Sequence, residues 1–356
     1  MNSVFLPRFT MGIGACKSIS EFLKENTKVA VLYGNKAYQA AKPYLDEAFS
    51  EAKLDIVVLK NYGHEATYEN VEMIQNFEGM DQVEALIGVG GGKCLDTIKY
   101  VGDKMNLPVY TIPTIASTCA AVTKISIMYN ADGSFKDIPK LKQPPVHCFI
   151  EPRIICDAPI QYLWAGIGDT MAKHVESVFS ARNDELDYAS ELGIKIGENC
   201  YYPMLRDGAQ ALEDAKNHAV TPALERVIQN ILITTGSVSL SVDAAYNSAL
   251  AHALFYGLTV RKHIEKNHLH GEVVSYGTLV QLMMDKQTDM LEKTYQFNKQ
   301  IGLPTCLKDL ELNIHDDLED ILEKAESNSE LEHVPYPVTK DLIYQAMKDL
   351  EEYGGK

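Results

Sequence analysis

The chain reads as an α/β domain followed by an all-helical one, and three features of its 356 residues point there. Short β-branched runs alternate with amphipathic stretches over about the first 110 residues, a glycine-rich turn joins one such run to a helical pattern, and beyond about residue 152 the β-branched clusters thin out in favour of Ala, Leu, Met and Glu. Strands separated by helix-length segments are the mark of βαβ units and a parallel sheet. A chain of this length exceeds what one hydrophobic core organises, so two domains facing a shared cleft are expected, 1–152 and 153–356.

In order along the chain, Val29–Tyr33, Asp55–Lys60, Ala85–Val89 and Pro108–Ile112 are expected as strands, with amphipathic helices between them. The prolines at Pro144, Pro145 and Pro152 mark the change of pattern. After them Gln161–Ala181, Leu224–Leu258, Glu272–Met284 and Asp317–Glu326 carry helical periodicity, with no internal repeat and no low-complexity tract.

Composition narrows the class. With 46% hydrophobic and 23% charged residues the chain has ample surface to bury. A formal charge of -16 argues against nucleic acid and anionic membranes as partners, since both are bound by clustered Lys and Arg. No stretch approaches the roughly 20 apolar residues of a bilayer span, and Met1 to Lys17 lacks a basic start followed by an apolar core. The seven cysteines (Cys16, Cys94, Cys119, Cys148, Cys156, Cys200, Cys306) form an odd, scattered set without a CxxC pair, which fits a reducing cytoplasm. A homo-oligomer is compatible with this length and acidity.

The segment Ala85-Leu-Ile-Gly-Val-Gly-Gly-Gly-Lys-Cys-Leu-Asp96 runs from a buried strand through glycines into a helix. Such a turn can hold phosphate, because glycines admit close backbone approach and the free N–H groups and dipole of the helix face the anion. It matches neither the P-loop nor the GxGxxG spacing, and a tight strand-to-helix turn is the plain alternative. A second loop of small and hydroxyl residues, Thr111-Ile-Pro-Thr-Ile-Ala-Ser-Thr-Cys-Ala120, follows the next expected strand. Two such loops at neighbouring carboxyl ends would share the crevice where open α/β sheets bind ligands, although Ser and Thr also satisfy turns with no ligand present.

In the helical half, Asp169 (in Gly166-Ile-Gly-Asp-Thr-Met-Ala), His252 (in Ser248-Ala-Leu-Ala-His-Ala-Leu) and His270 (in Asn267-His-Leu-His-Gly-Glu272) sit among small or apolar neighbours and could together hold a divalent metal. A buried carboxylate or imidazole needs a partner, and one Asp with two His leaves a coordination position open, as a catalytic zinc requires. Singly, each has a simpler reading: Asp169 as a helix cap, His252 as a hydrogen-bonded core histidine, His270 as an exposed loop residue.

The ordered set Gly90-Gly-Gly-Lys-Cys-Leu-Asp96, Pro113-Thr-Ile-Ala-Ser-Thr118, Gly168-Asp169, Ala251-His252 and His270-Gly-Glu272, extended by Gly277-Thr-Leu-Val-Gln-Leu282, resembles the iron-containing alcohol dehydrogenase superfamily, specifically its glycerol dehydrogenase branch, over nearly the whole chain. The resemblance implies a dehydroquinate synthase-like architecture: an α/β dinucleotide-binding domain with a parallel sheet, then an all-α domain that binds metal and substrate. It implies an oxidoreductase using NAD(P)(H) and one divalent metal, Zn2+ in this branch or Fe2+, on a small-molecule substrate. Asp169, His252 and His270 become the metal ligands and the catalytic centre, and Gly91, Gly92, Lys93, Asp96, Thr114, Thr118, Thr123, Ile125 and Tyr129 the lining of the dinucleotide site. The long-chain iron enzymes carry a further His where this chain has Lys173, so the three-ligand branch fits better. A lyase of the same fold, dehydroquinate synthase, is the rival; its extra Lys and Arg phosphate contacts and its glycine segment are not found here.

Three departures from the branch bear on specificity. Where it reads Ser-Thr-Asp, this chain has Ser117-Thr118-Cys119. Losing a carboxylate that touches the polyol in glycerol enzymes favours an anionic 2-oxo or 2-hydroxy acid, a feature shared with bacterial hydroxycarboxylate dehydrogenases. Gly34 stands where NAD-preferring relatives place an acid on the adenosine ribose, so NADP(H) is expected to be accepted, with Lys36 near a 2′-phosphate; a tight turn is the other reading of this glycine. Phe255-Tyr256 replaces His-Asn after His252, which removes a histidine from any proton relay. Lys124 is a candidate partner for a substrate carboxylate, the alternative being a solvated charge.

Overall fold

A computed structural model describes residues 4–355 of the chain. Eight strands fall at Phe9–Met11 (β1), Lys28–Tyr33 (β2), Asp55–Asn61 (β3), Ala85–Gly90 (β4), Val109–Pro113 (β5), Met128–Tyr129 (β6), Phe135–Asp137 (β7) and His147–Ile150 (β8). Six of them form one parallel sheet in the order β1-β8-β5-β4-β2-β3, while β6 and β7 make a small antiparallel pair. All four strands expected from the sequence are present. The short β1 and β8 were not foreseen; β8 is buried throughout, so it lacks the alternation that marks a strand.

Both faces of the sheet are covered, which is why its strands read as continuous apolar runs. Val29 and Val31 of β2 pack with Ala85, Ile87 and Val89 of β4 against Ala41, Leu45 and Ala48 of helix α1 (Asn35–Ala52). Ala30, Leu32 and Leu86 point the other way, into Val71 and Ile74 of α2 (Tyr68–Gln75) and Ile98 and Val101 of α3 (Gly92–Met105).

By its contacts the chain divides into two compact units. One is the α/β unit, Phe5–Ile160 together with Asp214–Leu240. The other is helical: Gln161–Glu213 and the described residues from Ser241 onward. The single boundary expected after residue 152 is therefore not how the packing divides the chain. One contact that allows this is at Gly236, where a side chain would meet Val122 Cγ2 at 2.2 Å, so the missing Cβ lets the 222–241 helical segment lie against the loop after β5.

The helical unit is built around α4 (Ile160–Ser180), α5 (Leu250–Leu258) and α6 (His270–Met284). The segment expected as one stretch, Leu224–Leu258, is broken: helix runs to Ser241 through a π-helical turn at Asn230–Thr234, a short turn capped by Asp243 follows, and α5 starts afresh at Leu250. Among the described residues no helix is long and apolar enough to cross a membrane.

Candidate metal centre and dinucleotide turn

Asp169 lies in the middle of α4, not at its start, so it caps nothing. His252 lies in the first turn of α5 and His270 is the first residue of α6. Two helix crossings bring the three together. A Cβ on Gly168 would sit 2.5 Å from Gly271 O, and one on Gly271 only 2.0 Å from Ala165 O, so α4 and α6 touch backbone to backbone beside Asp169 and His270. A Cβ on Gly277 would meet Ala251 O at 2.6 Å, which seats α5 on α6 just before His252.

The result is a cluster in which one donor atom from each of Asp169, His252 and His270 lies within 4.8 Å of the others. Nε2 of His252 and Nε2 of His270 each stand 3.5 Å from the same Asp169 oxygen, Oδ1. Ligand bonds of about 2.0–2.2 Å in tetrahedral array put neighbouring donors about 3.4 Å apart, so the set fits a divalent metal. Phe255, one of the two residues that depart from the His-Asn of the resembled branch, packs edge-on against the His270 ring, centroids 4.3 Å apart. His268, two residues earlier, is engaged elsewhere, with Nδ1 2.8 Å from Glu272 Oε1.

Electrostatics support the fit. Burial opposes the charged forms, yet the Glu176 and Asp169 carboxylates outweigh it and hold the His252 imidazole up at about 10. The Asp169 carboxyl, against the same burial, is held well below its ordinary value by the two imidazoles. Two buried carboxylates thus converge on the His252 imidazole, an arrangement that favours positive charge between them, as a bound cation supplies.

Glu176 was not anticipated from the sequence. It is fully buried, and its Oε2 lies 2.6 Å from His252 Nδ1. The signal for it is faint: a Glu two turns after Asp169, with Lys173 between them on the same helix face.

In the α/β unit the glycine turn lies where β4 passes into α3. Gly91 precedes α3 without any side-chain cap, so the first N–H groups of the helix are not taken up by a capping side chain. A Cβ on Gly91 would strike Ile115 Cδ1 at 2.6 Å, and one on Gly92 would lie 3.4 Å from Thr118 Oγ1, so the two loops meet as expected. Thr114 donates its N–H to Gly90 O at 3.1 Å. Lys93 pairs with Glu65 at 2.7 Å, and its ammonium lies 4.4 Å from the centre of the Tyr129 ring.

Asp96 is placed differently from the expectation. It is turned inward, its carboxylate receiving Lys99 Nζ at 2.8 Å and the Ile127 N–H at 3.2 Å. Lys99, also unforeseen, is buried and donates to Thr123 Oγ1 (3.2 Å) and Ile125 O (2.5 Å). The pair anchors the segment carrying Thr123 and Ile125 to α3; a ligand-facing role for the Asp96 carboxylate is not what this geometry provides. Cys119 is half-buried, 3.6 Å from where a Gly236 Cβ would lie, and Lys124 stacks its ammonium 5.2 Å from the Phe5 ring centre, so it is not simply solvated.

Comparison with known proteins agrees with this construction. The family model of iron-containing alcohol dehydrogenases matches residues 7–151. Glycerol dehydrogenase of Thermotoga maritima is 31% identical over 99% of this chain and 97% of its own length, and hydroxycarboxylate dehydrogenase A of Escherichia coli is 34% identical over 93% and 92%. The crystal structure of glycerol dehydrogenase from Schizosaccharomyces pombe superposes with a TM-score of 0.88 at 24% identity, covering 100% of this chain and 92% of that one. The chain belongs to the iron-containing alcohol dehydrogenase family.

Proposed function

We propose that this protein is a metal-dependent NAD(P) oxidoreductase that interconverts a small 2-hydroxy acid and its 2-oxo form. The observation that carries the metal dependence is the convergence of Asp169, His252 and His270 within ligand distance of one another. These three would hold the ion, Zn2+ in the first instance with Fe2+ as the alternative, since one carboxylate and two imidazoles suit both. When bound, the metal would polarise the substrate oxygen and the nicotinamide would carry the hydride. The chain's own part is orientation: the uncapped start of α3 and the bare backbone of Gly91 and Gly92 receive the pyrophosphate, Lys93 adds a positive charge, and Thr114, Thr118, Thr123, Ile125 and Tyr129 line the rest.

The hydroxy-acid preference rests on Cys119. A thiol in place of a carboxylate removes a repulsion against an anionic substrate and a hydrogen-bond acceptor for a polyol. The 34% identity to hydroxycarboxylate dehydrogenase A supports the same reading. Glycerol oxidation is the second reading, favoured by the full-length similarity to the Thermotoga maritima glycerol dehydrogenase. A homo-oligomer in the cytoplasm completes the proposal. Among the described residues none of the seven cysteines is joined in a disulfide, in keeping with a reducing compartment.

The test is oxidation of NADH and NADPH by metal-reconstituted enzyme with 2-oxoglutarate, 2-oxobutanoate and dihydroxyacetone, beside Asp169→Ala. A 2-oxo acid is expected to turn over best, with activity lost in the variant. Preference for dihydroxyacetone would establish the glycerol reading instead, and activity that survives in Asp169→Ala would sink the metal assignment.

A further inference from the structure

Three residues of α4, one on each of three successive turns, face the stretch that leads into α5. Asp169 meets His252 Nε2. One turn later Lys173, itself buried, donates from Nζ to Asn247 O at 2.6 Å and to Asn247 Oδ1 at 3.1 Å. A further turn on, the Glu176 carboxylate accepts three hydrogen bonds from one short segment: Oε1 from the N–H groups of Ala249 (2.8 Å) and His252 (2.9 Å), and Oε2 from His252 Nδ1 (2.6 Å). Spacing of four and then three residues is what puts them on one face of the helix.

A carboxylate with no solvent exposure is costly unless its lone pairs and charge are both met. Here the three donors meet the lone pairs, and Lys173 on the same face supplies a counter-charge. Because Oε2 only accepts, its bond to the imidazole requires the proton to sit on Nδ1. In the neutral ring, the form that ligates a metal, Nε2 is then the nitrogen left with a lone pair, and it is the one that stands 3.5 Å from Asp169 Oδ1. The two backbone bonds to Oε1 fix where His252 begins, and the side-chain bond fixes how its ring is turned.

We propose that Glu176 is a positioning residue for the metal centre: it selects the His252 tautomer and locks the ring and its backbone in the metal-binding orientation, with Lys173 holding the preceding loop through Asn247. The inference rests on the metal-dependent reading above and adds to it the residue that prepares the site. Carboxylates bonded to ligating imidazoles in this way raise the basicity of the ligand, and losing one weakens metal binding by about 10–100-fold.

The experiment is a cobalt titration of the metal-free full chain, followed by the visible absorption of bound Co2+, for wild type, Glu176→Gln, Glu176→Asp and Lys173→Met, with thermal midpoints of the metal-free proteins alongside. Glu176→Gln should bind cobalt about 10–100-fold more weakly while Glu176→Asp, which keeps the charge, recovers part of the loss. Lys173→Met should fall between wild type and Glu176→Gln. Equal affinity in wild type and Glu176→Gln would overturn the inference and leave the metal reading standing. Wild type that binds no cobalt would overturn both. Should Glu176→Gln not fold, nitrogen-15 histidine spectra of the metal-loaded wild type decide the matter: a proton on His252 Nδ1 with metal on Nε2 is required, and metal on Nδ1 would overturn the inference.

Discussion

At the carboxyl end of β2, Gly34 takes φ -84° and ψ 139°, extended geometry open to any residue, so no turn demands glycine there. A Cβ would meet Ala37 Cβ at 3.7 Å and Tyr62 Cε1 at 3.8 Å, ordinary contact. The tight-turn explanation of this residue thus loses its basis, and its effect on charge remains. Gly34→Asp is expected to fold as the wild type does and to lower kcat/KM for NADPH relative to NADH by about tenfold, or about 1.4 kcal/mol, because the new carboxylate repels a 2′-phosphate and accepts from a ribose hydroxyl. Steady-state kinetics with both cofactors check it; an unchanged ratio would take Gly34 out of cofactor choice. The candidate site was legible in the sequence at this scale wherever a functional side chain is embedded in small residues, as Asp169, His252 and His270 are. Glu176 and Lys99 were not legible. Each sits on a helix near another charge, Lys99 beside Asp96 and Glu176 beside Lys173, and the contacts that give it a role are set only by packing across 76 residues from Glu176 to His252 or 26 from Lys99 to Ile125.

Between elements, the decisive contacts are made by absent side chains. Gly168 and Gly271 let α4 and α6 meet at backbone distance, and it is this approach that puts Asp169 and His270 on one ion-sized space. An added methyl at Gly271 would lie 2.0 Å from Ala165 O, a backbone atom that cannot swing aside like a flexible side chain. Gly271→Ala should therefore cost about 1–3 kcal/mol in stability and part the two ligands, so that cobalt affinity falls further than in a variant of equal stability altered elsewhere. Urea unfolding with parallel cobalt titration tests this, and a stable Gly271→Ala with unaltered affinity would show that the crossing can relax. Sequence periodicity foresaw α4 and α6 within a few residues because each has a long apolar pattern and a recognisable end. It ran α5 together with the preceding helix because Ser241-Val-Asp-Ala-Ala-Tyr-Asn-Ser248 contains neither Gly nor Pro. The break is made by Asp243, whose Oδ1 accepts the Ala245 N–H at 3.0 Å and whose own N–H goes to Ser190 Oγ at 3.1 Å, a contact with a distant helix.

For the molecule as a whole, the α/β-then-helical order was legible, and the return of residues 214–240 to the α/β unit was not, since it depends on Gly236 meeting Val122 across more than 100 residues. Packing between other residues far apart in sequence bears on how stability should depend on pH. His147, at the start of the unforeseen β8, is buried with its ring centre 3.8 Å from that of Phe22 and 4.8 Å from that of Phe149; Nε2 meets Thr10 Oγ1 at 2.9 Å, and Nδ1 has no hydrogen-bond partner among the described residues. Burial, helped by the Arg8 guanidinium, pushes its folded-state value down to about 4, against an unfolded value of about 6.5. Between those values the unfolded chain binds the extra proton, so His147's contribution is complete above about pH 6.5 and is lost as pH falls towards 4, by at most about 3 kcal/mol. Over the same fall the self-repulsion of a chain with formal charge -16 relaxes, which acts in the opposite direction. Only a difference between two proteins separates the effects. Urea unfolding of wild type and His147→Phe from pH 7.5 to 5 should show the variant gaining on the wild type as pH drops; parallel curves would mean that His147 titrates alike in both states, and that its buried place in β8 imposes no proton linkage.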